Sequence, residues 1–370
     1  MGKAGDSNGY LKIILDTVFC KHQKGDLYMK KILSALLSVS MILSLSVPVF
    51  AQKNVSTDIY SQQRIALSDM GVNTEQMNVK TLYDLNGNTF TLVETGDNGY
   101  YIYDENSDKY LEMSDNAPSP YKPYSTDLYY LGPLCYYVKS GNQYIHTITH
   151  ESSTKTDTEF SNRRFASALS SVRSTASTSS TSDIMTAKGN SYIPYYEYIK
   201  NAQYPPNENG TCGYTAACLI LYYWHKVKGG VIPSTYLDSN GRLLTSGYTL
   251  QDKLLSYGSS NSSWGKTIRD VLISYCNEQG IGATSYYYIG EIGVSKSISN
   301  GRPAILFGFL TSNPSPASVS TNSIKGKVFH AVTAYGTNGN YFICHYGWSG
   351  YSHVLLDGGL IGSCTLFQLN

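Results

Sequence analysis

The stretch Asn209-Gly210-Thr211-Cys212-Gly213-Tyr214-Thr215-Ala216-Ala217 sets a cysteine between a glycine-bearing loop and the start of a helix. Ala216, Ala217, Ile220, Leu221 and Trp224 recur at helical spacing, so a helix is expected over Gly213 to His225. That placement has a chemical consequence. The nucleophile is the thiolate, a free thiol titrates near roughly 8.5, and the unpaired N–H groups of a helix start favour the anion. Gly213 and Thr211 keep the approach to the sulfur uncrowded. Cys218, well inside the same helix, lacks these features and reads as core.

A cysteine nucleophile needs a base, and the chain holds 7 histidines. In Val328-Phe329-His330-Ala331-Val332-Thr333-Ala334-Tyr335-Gly336, His330 opens an apolar strand, where an imidazole sits at a sheet edge or cleft mouth. Asn340 to His345 reads as the next strand, joined through Thr337-Asn338-Gly339. Gly301-Arg302-Pro303 punctuates, and Ala304-Ile305-Leu306-Phe307 begins another strand. Trp264, Ile268, Val271, Leu272 and Tyr275 form a second helical stripe. Helices first and strands later predict an α+β domain over residues 186–370, with a helical half and an antiparallel sheet half.

Upstream, residues 52–160 carry strand and hairpin signals. Thr89-Phe90-Thr91-Leu92-Val93, Tyr100-Tyr101-Ile102-Tyr103 and Tyr136-Tyr137-Val138 read as strands, with Asn86-Gly87 and Asn98-Gly99 as turns. A small β-rich domain is expected there. Residues 161–185 are dominated by Ser, Thr and Ala and read as a linker, with Arg163, Arg164 and Arg173 as exposed cut sites. Further back, Met29-Lys30-Lys31, the apolar run Ile32 to Val47 and Val49-Phe50-Ala51 have the layout of a signal peptide over 29–51. Residues 1–28 then read as an over-extended start. Export to the cell exterior without stable membrane insertion is the expectation, because the run is short of the roughly 20 residues a span needs.

Composition narrows the chemistry. With a formal charge of +1 and 15% charged residues, the chain lacks the basic patch that nucleic-acid binding requires. No zinc-type cysteine spacing appears, and neither a metal nor an organic cofactor is expected. The 7 cysteines fall mostly in apolar runs and read as small buried hydrophobes. The 34 tyrosines, in a chain poor in Lys and Glu, are expected to supply much of the surface.

Taken together, Cys212-Gly213, His330-Ala331-Val332 and Gly347-Trp348-Ser349-Gly350 resemble, in order, the motifs of the papain-like cysteine peptidases, particularly their secreted bacterial branch. The resemblance covers roughly residues 190–370. It implies a papain-like catalytic domain preceded by a β-rich prodomain that acts as a cis inhibitor, and a protein or peptide substrate. It also implies that Cys212 attacks, that His330 is the acid–base partner, and that the Cys212 N–H and a nearby side chain hold the oxyanion. Asn207 is the preferred donor, with Gln203 and Asn209 as alternatives. The family orients its base with an Asn or Asp. Here that place is taken by His345, which would have to accept a hydrogen bond from His330; Asn338 and Asn340 are the other candidates. Trp348 would shield that bond from water.

Two further readings stay open on the sequence. One is a peptidoglycan-acting Cys/His hydrolase, although such domains set the histidine nearer to the cysteine. The other is a weak or inactive papain-like fold serving as a binding or adhesion module, which the residue at 345 keeps in play.

Overall fold

Turn chemistry shapes the first strands. The computed structural model describes residues 64, 67–68, 72–153, 155–176, 189–207, 210–258, 265–308 and 331–370. β1 (Met77–Tyr83) and β2 (Thr89–Thr95) form an antiparallel hairpin. In its turn, Asp84 accepts the Asn86 and Asn88 N–H groups at 2.8 Å each, and Gly87 takes a φ of 84°. β3 (Tyr100–Asp104) follows around Asn98-Gly99. Gly99 has a φ of 130°, and a Cβ there would run into the Thr95 side chain, so the turn requires glycine.

β4 (Lys109–Ser114) continues this sheet, and β5 (Leu128–Tyr130), β6 (Tyr136–Ser140), β7 (Gln143–His146) and β8 (Ser152–Ser153) extend its other side. Two short elements, β9 (Ser191–Tyr192) and α2 (Glu197–Lys200), precede the long helix α3 (Cys212–Lys228). α4 (Leu250–Leu255), α5 (Gly265–Glu278), β10 (Ala283–Ile289) and α6 (Val294–Ser299) come next. The chain then runs through β11 (Ala304–Gly308), β12 (Ala331–Asn338), β13 (Tyr341–His345), β14 (Val354–Asp357) and β15 (Ile361–Leu369). Along the sheet the order is β10-β15-β11-β12-β13-β14-β4-β3-β2-β1-β5-β6-β7-β8, with β9 paired to β12 beside it. Only β1 and β5 pair in parallel among the described strands. The fold is mixed α and β, a large sheet with helices packed on it. β4 and β14 join its N- and C-terminal strands through Leu355↔Met113 and Leu356↔Glu112.

Two expectations need correction. Residues 161–176 of the expected linker lie inside α1 (Lys155–Ala176). Phe165, Ala168, Leu169 and Val172 recur at helical spacing and are buried, a narrow stripe among small polar residues. Burying each of the three larger side chains contributes roughly 1.5–3 kcal/mol toward ordering a segment whose composition alone argues for a coil. Arg163, Arg164 and Arg173 therefore stand on a helix, and Arg173 holds both carboxylate oxygens of Asp104 at 2.7 and 2.9 Å. Residues 177–185 lie outside the described residues.

The tyrosines are the second correction. Tyr100, Tyr101, Tyr121, Tyr130, Tyr136, Tyr214, Tyr223, Tyr275, Tyr335 and Tyr346 rank among the largest fully buried side chains. Most of these hydroxyls find internal acceptors, such as Tyr275 to the Val231 carbonyl at 2.9 Å and Tyr335 to the Ser352 carbonyl at 2.6 Å. A ring with a satisfied hydroxyl is core material. The cysteines match their reading: Cys135, Cys212, Cys218, Cys276, Cys344 and Cys364 are buried and free of disulfides. No described helix is long and apolar enough to cross a membrane, and the expected signal peptide lies outside the described residues.

Candidate active site

Cys212 is the first residue of α3, and its side chain is buried. The helix starts one residue earlier than its apolar spacing predicts, with Thr211 as N-cap and its carbonyl accepting the Tyr214 and Thr215 N–H groups. No acidic residue stands in the first turn, while His225, Lys226 and Lys228 stand in the last. A carboxylate in the first turn would compete for the helix N-terminus, so this distribution leaves it to another anion. Cys218, two turns on, has its thiol pushed well up by burial, as befits core.

α3 packs against β12, and Thr333 donates to the Ala216 carbonyl at 3.4 Å. His330 lies outside the described residues. β12 begins at the next residue, with Ala331 opposite Phe307 on β11. Thr333 pairs with His345 on β13, so His345 stands beside the strand's entry. Asn338 pairs with Tyr341 at the far end of this hairpin. At roughly 3.3 Å per residue, that is about 20 Å from the entry. Asn338 is spent there on Asn190, at 2.8 Å, and Asn340 offers its backbone carbonyl to Gly358. Neither asparagine is placed to orient a base at the strand's start.

His345 is buried, with Tyr204 edge-on at 4.9 Å between ring centroids. Its Nδ1 accepts the Gly347 N–H at 2.9 Å, and burial lowers its pKa to about 3. The ring is neutral, and its proton is on Nε2. Its accepting nitrogen is therefore engaged by Gly347, and toward any further partner it offers Nε2–H; the His330 it is expected to orient lies outside the described residues.

Asn207 reaches the same turn, its Nδ2 donating to the Tyr346 carbonyl at 3.5 Å. Gly347 has a φ of 73°, and a Cβ there would sit 3.1 Å from Thr215 Cγ2 and 3.3 Å from Asn207 Nδ2. Asn207, His345 and the first turn of α3 thus converge on Tyr346-Gly347. Gln203, an alternative donor, gives its amide to the Leu243 carbonyl at 2.9 Å, and Asn209 lies outside the described residues. Trp348 packs edge-on to His146 at 5.4 Å and to Tyr351 at 6.3 Å.

Residues from the N-terminal strands also reach this region, which the motifs alone did not reveal. The loop between β5 and β6 carries Leu134 at a φ of 65°. Pro133 and Leu134 share a small cavity with Leu306, Val332 and Leu356. Burial pushes the neighbouring Cys135 thiol up to about 12, and the Cys212 sulfur is among the charges that add to the rise. Positive φ at a leucine was the kind of feature no sequence pattern announces.

No protein-family model matches the chain, and no curated protein matches it. Among solved structures, a Bacillus anthracis protein provisionally classed as a C39-like peptidase aligns with it at a TM-score of 0.29 and 12% identity. That alignment covers 47% of this chain and 96% of the other. A similarity of this size carries no argument about fold or activity. Among the described residues no group of His, Cys, Asp and Glu is placed to hold a metal ion.

Proposed function

We propose that this chain is an exported cysteine peptidase, made in a latent form and acting on protein or peptide substrates. The carrying observation is Cys212 at the first position of an α3 whose opening turn holds no acid, with Asn207 held beside that turn at Gly347. The Cys212 thiolate attacks the peptide carbonyl, and the Cys212 N–H and an Asn207 amide hydrogen stabilise the oxyanion. As the C–N bond breaks, His330 gives its proton to the leaving amine. Water then attacks the thioester, losing a proton to His330 and restoring the thiolate. No cofactor enters these steps, and the fold assigned to residues 186–370 is papain-like.

Latency draws on the contacts made by the N-terminal strands. The loop Leu131–Cys135 carries a thiol on which the Cys212 sulfur exerts an electrostatic effect, and Leu134 lines a small cavity with Val332, two residues after His330. His146 and Tyr136 flank Trp348. A segment seated there blocks the approach of a substrate, and its removal activates the enzyme. A second reading, a weak or inactive papain-like fold used for binding, draws on the occupied acceptor of His345.

The test compares the secreted chain before and after limited trypsin treatment, using casein cleavage and labelling by an epoxysuccinyl peptide. Cleavage and labelling that appear after treatment and vanish in Cys212→Ala are expected. A treated chain that neither cleaves casein nor takes the label sinks the peptidase reading. Digestion of peptidoglycan without casein cleavage favours a wall hydrolase, and equal activity before and after treatment removes the latency.

A further inference from the structure

α4 presents a buried glutamine to the loop that carries Asn207 and to the helix that carries Cys212. Its start is fixed by a capping box, in which Thr249 accepts the Asp252 N–H and the Asp252 carboxylate accepts the Thr249 N–H. Leu250 and Leu254 anchor it in the core, with Gln251 between them at 7% exposure. An amide in such a place is costly unless its hydrogen-bonding groups are matched. Here its Nε2 donates to Thr215 Oγ1 at 2.7 Å and to the Pro206 carbonyl at 3.2 Å.

Those two acceptors belong to the two parts of the site that must stay in register. Thr215 lies one turn beyond Cys212 on α3, and its Oγ1 is 3.4 Å from the Thr211 carbonyl at the helix start. Pro206 is the residue before Asn207. The loop's earlier end is tied by Gln203 to Leu243, and Asn207 itself has the long 3.5 Å bond to Tyr346. Between these, the amide of Gln251 joins the loop to the helix.

We propose that Gln251 is a positioning residue, whose amide fixes Asn207 relative to Cys212 so that the Asn207 amide meets the oxyanion. The assignment rests on the peptidase reading above. Oxyanion donors act through fixed geometry, with donor distances of about 2.7–3.1 Å to the developing charge. A displacement of about 1 Å costs on the order of a hundredfold in rate. Gln251 does not touch the substrate, so its loss relaxes Asn207 rather than removing it.

The trypsin-treated full chain is assayed on a fluorogenic peptide for kcat and KM in wild type, Gln251→Leu, Asn207→Ala and the double variant. Gln251→Leu keeps the volume and removes both donated bonds. It is expected to lower kcat about tenfold at unchanged KM, and Asn207→Ala to lower it about a hundredfold. The double variant is expected to be no slower than Asn207→Ala alone, because Gln251 acts through Asn207. Losses that multiply in the double variant, or an unchanged kcat in Gln251→Leu, overturn the assignment. A silent Asn207→Ala in an active enzyme overturns it too, yet leaves the peptidase reading standing. A treated wild type that cleaves no peptide removes both. Should Gln251→Leu not fold, Thr215→Val removes one acceptor with little change in shape and carries the same expectation.

Discussion

His345 accepts the Gly347 N–H through Nδ1, and burial keeps its imidazole neutral, with a pKa of about 3. A cysteine peptidase base takes its proton on the nitrogen facing the sulfur, so the other nitrogen must be an N–H pointed at an acceptor. With Nδ1 engaged, His345 offers Nε2–H, a donor that favours the opposite tautomer of a facing His330. An asparagine at 345 has both a carbonyl to accept from His330 and an amide. His345→Asn is therefore expected to raise kcat/KM about tenfold in the trypsin-treated chain, read by steady-state cleavage of a fluorogenic peptide. A fall in kcat/KM would show that the native histidine already orients the base. Cys212 and His345 stood out as candidates in the sequence because Gly213 and Tyr346 punctuate it beside them, and Asn207 because it precedes Cys212 by five residues. Gln251 did not, since the partners that give it meaning, Pro206 and Thr215, come from distant parts of the chain.

Among the elements, α3 and the β12–β13 hairpin follow from periodicity, because long apolar runs at a clear spacing outweigh local composition. α1 was read as coil because its stripe of four buried residues is diluted by serine and threonine, and only the sheet beneath it gives the stripe something to cover. Near its C-terminal end α1 is pinned by Arg173, whose guanidinium meets the fully buried Asp104 carboxylate and, at 3.1 Å, the Asn88 side-chain oxygen. Ser107 also donates to Asp104, at 2.6 Å. Arg173→Ala leaves that carboxylate with the serine but without its charge partner, a loss on the order of 2–3 kcal/mol. The expected result is a lower thermal midpoint together with faster trypsin cleavage within residues 155–176, mapped by mass spectrometry. Cleavage at the wild-type rate would mean that the apolar stripe alone holds the helix.

Across the whole molecule, the N- and C-terminal strands share one sheet through β4 and β14, and Glu112 stands at that seam opposite Leu356. Its carboxyl is fully buried and accepts hydrogen bonds from Tyr100 and Tyr136, and from Tyr130 at 3.3 Å. Burial raises its pKa from 4.5 to about 7, against the downward pull of those three hydroxyls. Tyr346, Tyr351 and Tyr121 feel its charge as well. Because the folded chain holds this proton more tightly than the unfolded one, the associated stability is complete below about pH 4.5. It is lost as pH rises toward 7 and stays lost above. His146 and His345 run the other way. Their pKa values fall from 6.5 to about 4 and about 3, so their contribution is complete above pH 6.5 and declines as the pH drops toward those values. Glu112→Gln keeps the shape of the protonated acid and cannot ionise. Its thermal midpoint is expected to match wild type at pH 4.5 and to exceed it by several degrees at pH 8, the reach of about 3 kcal/mol in one ionisation. A midpoint difference that stays constant between the two pH values would show that the carboxyl at the seam does not titrate on unfolding.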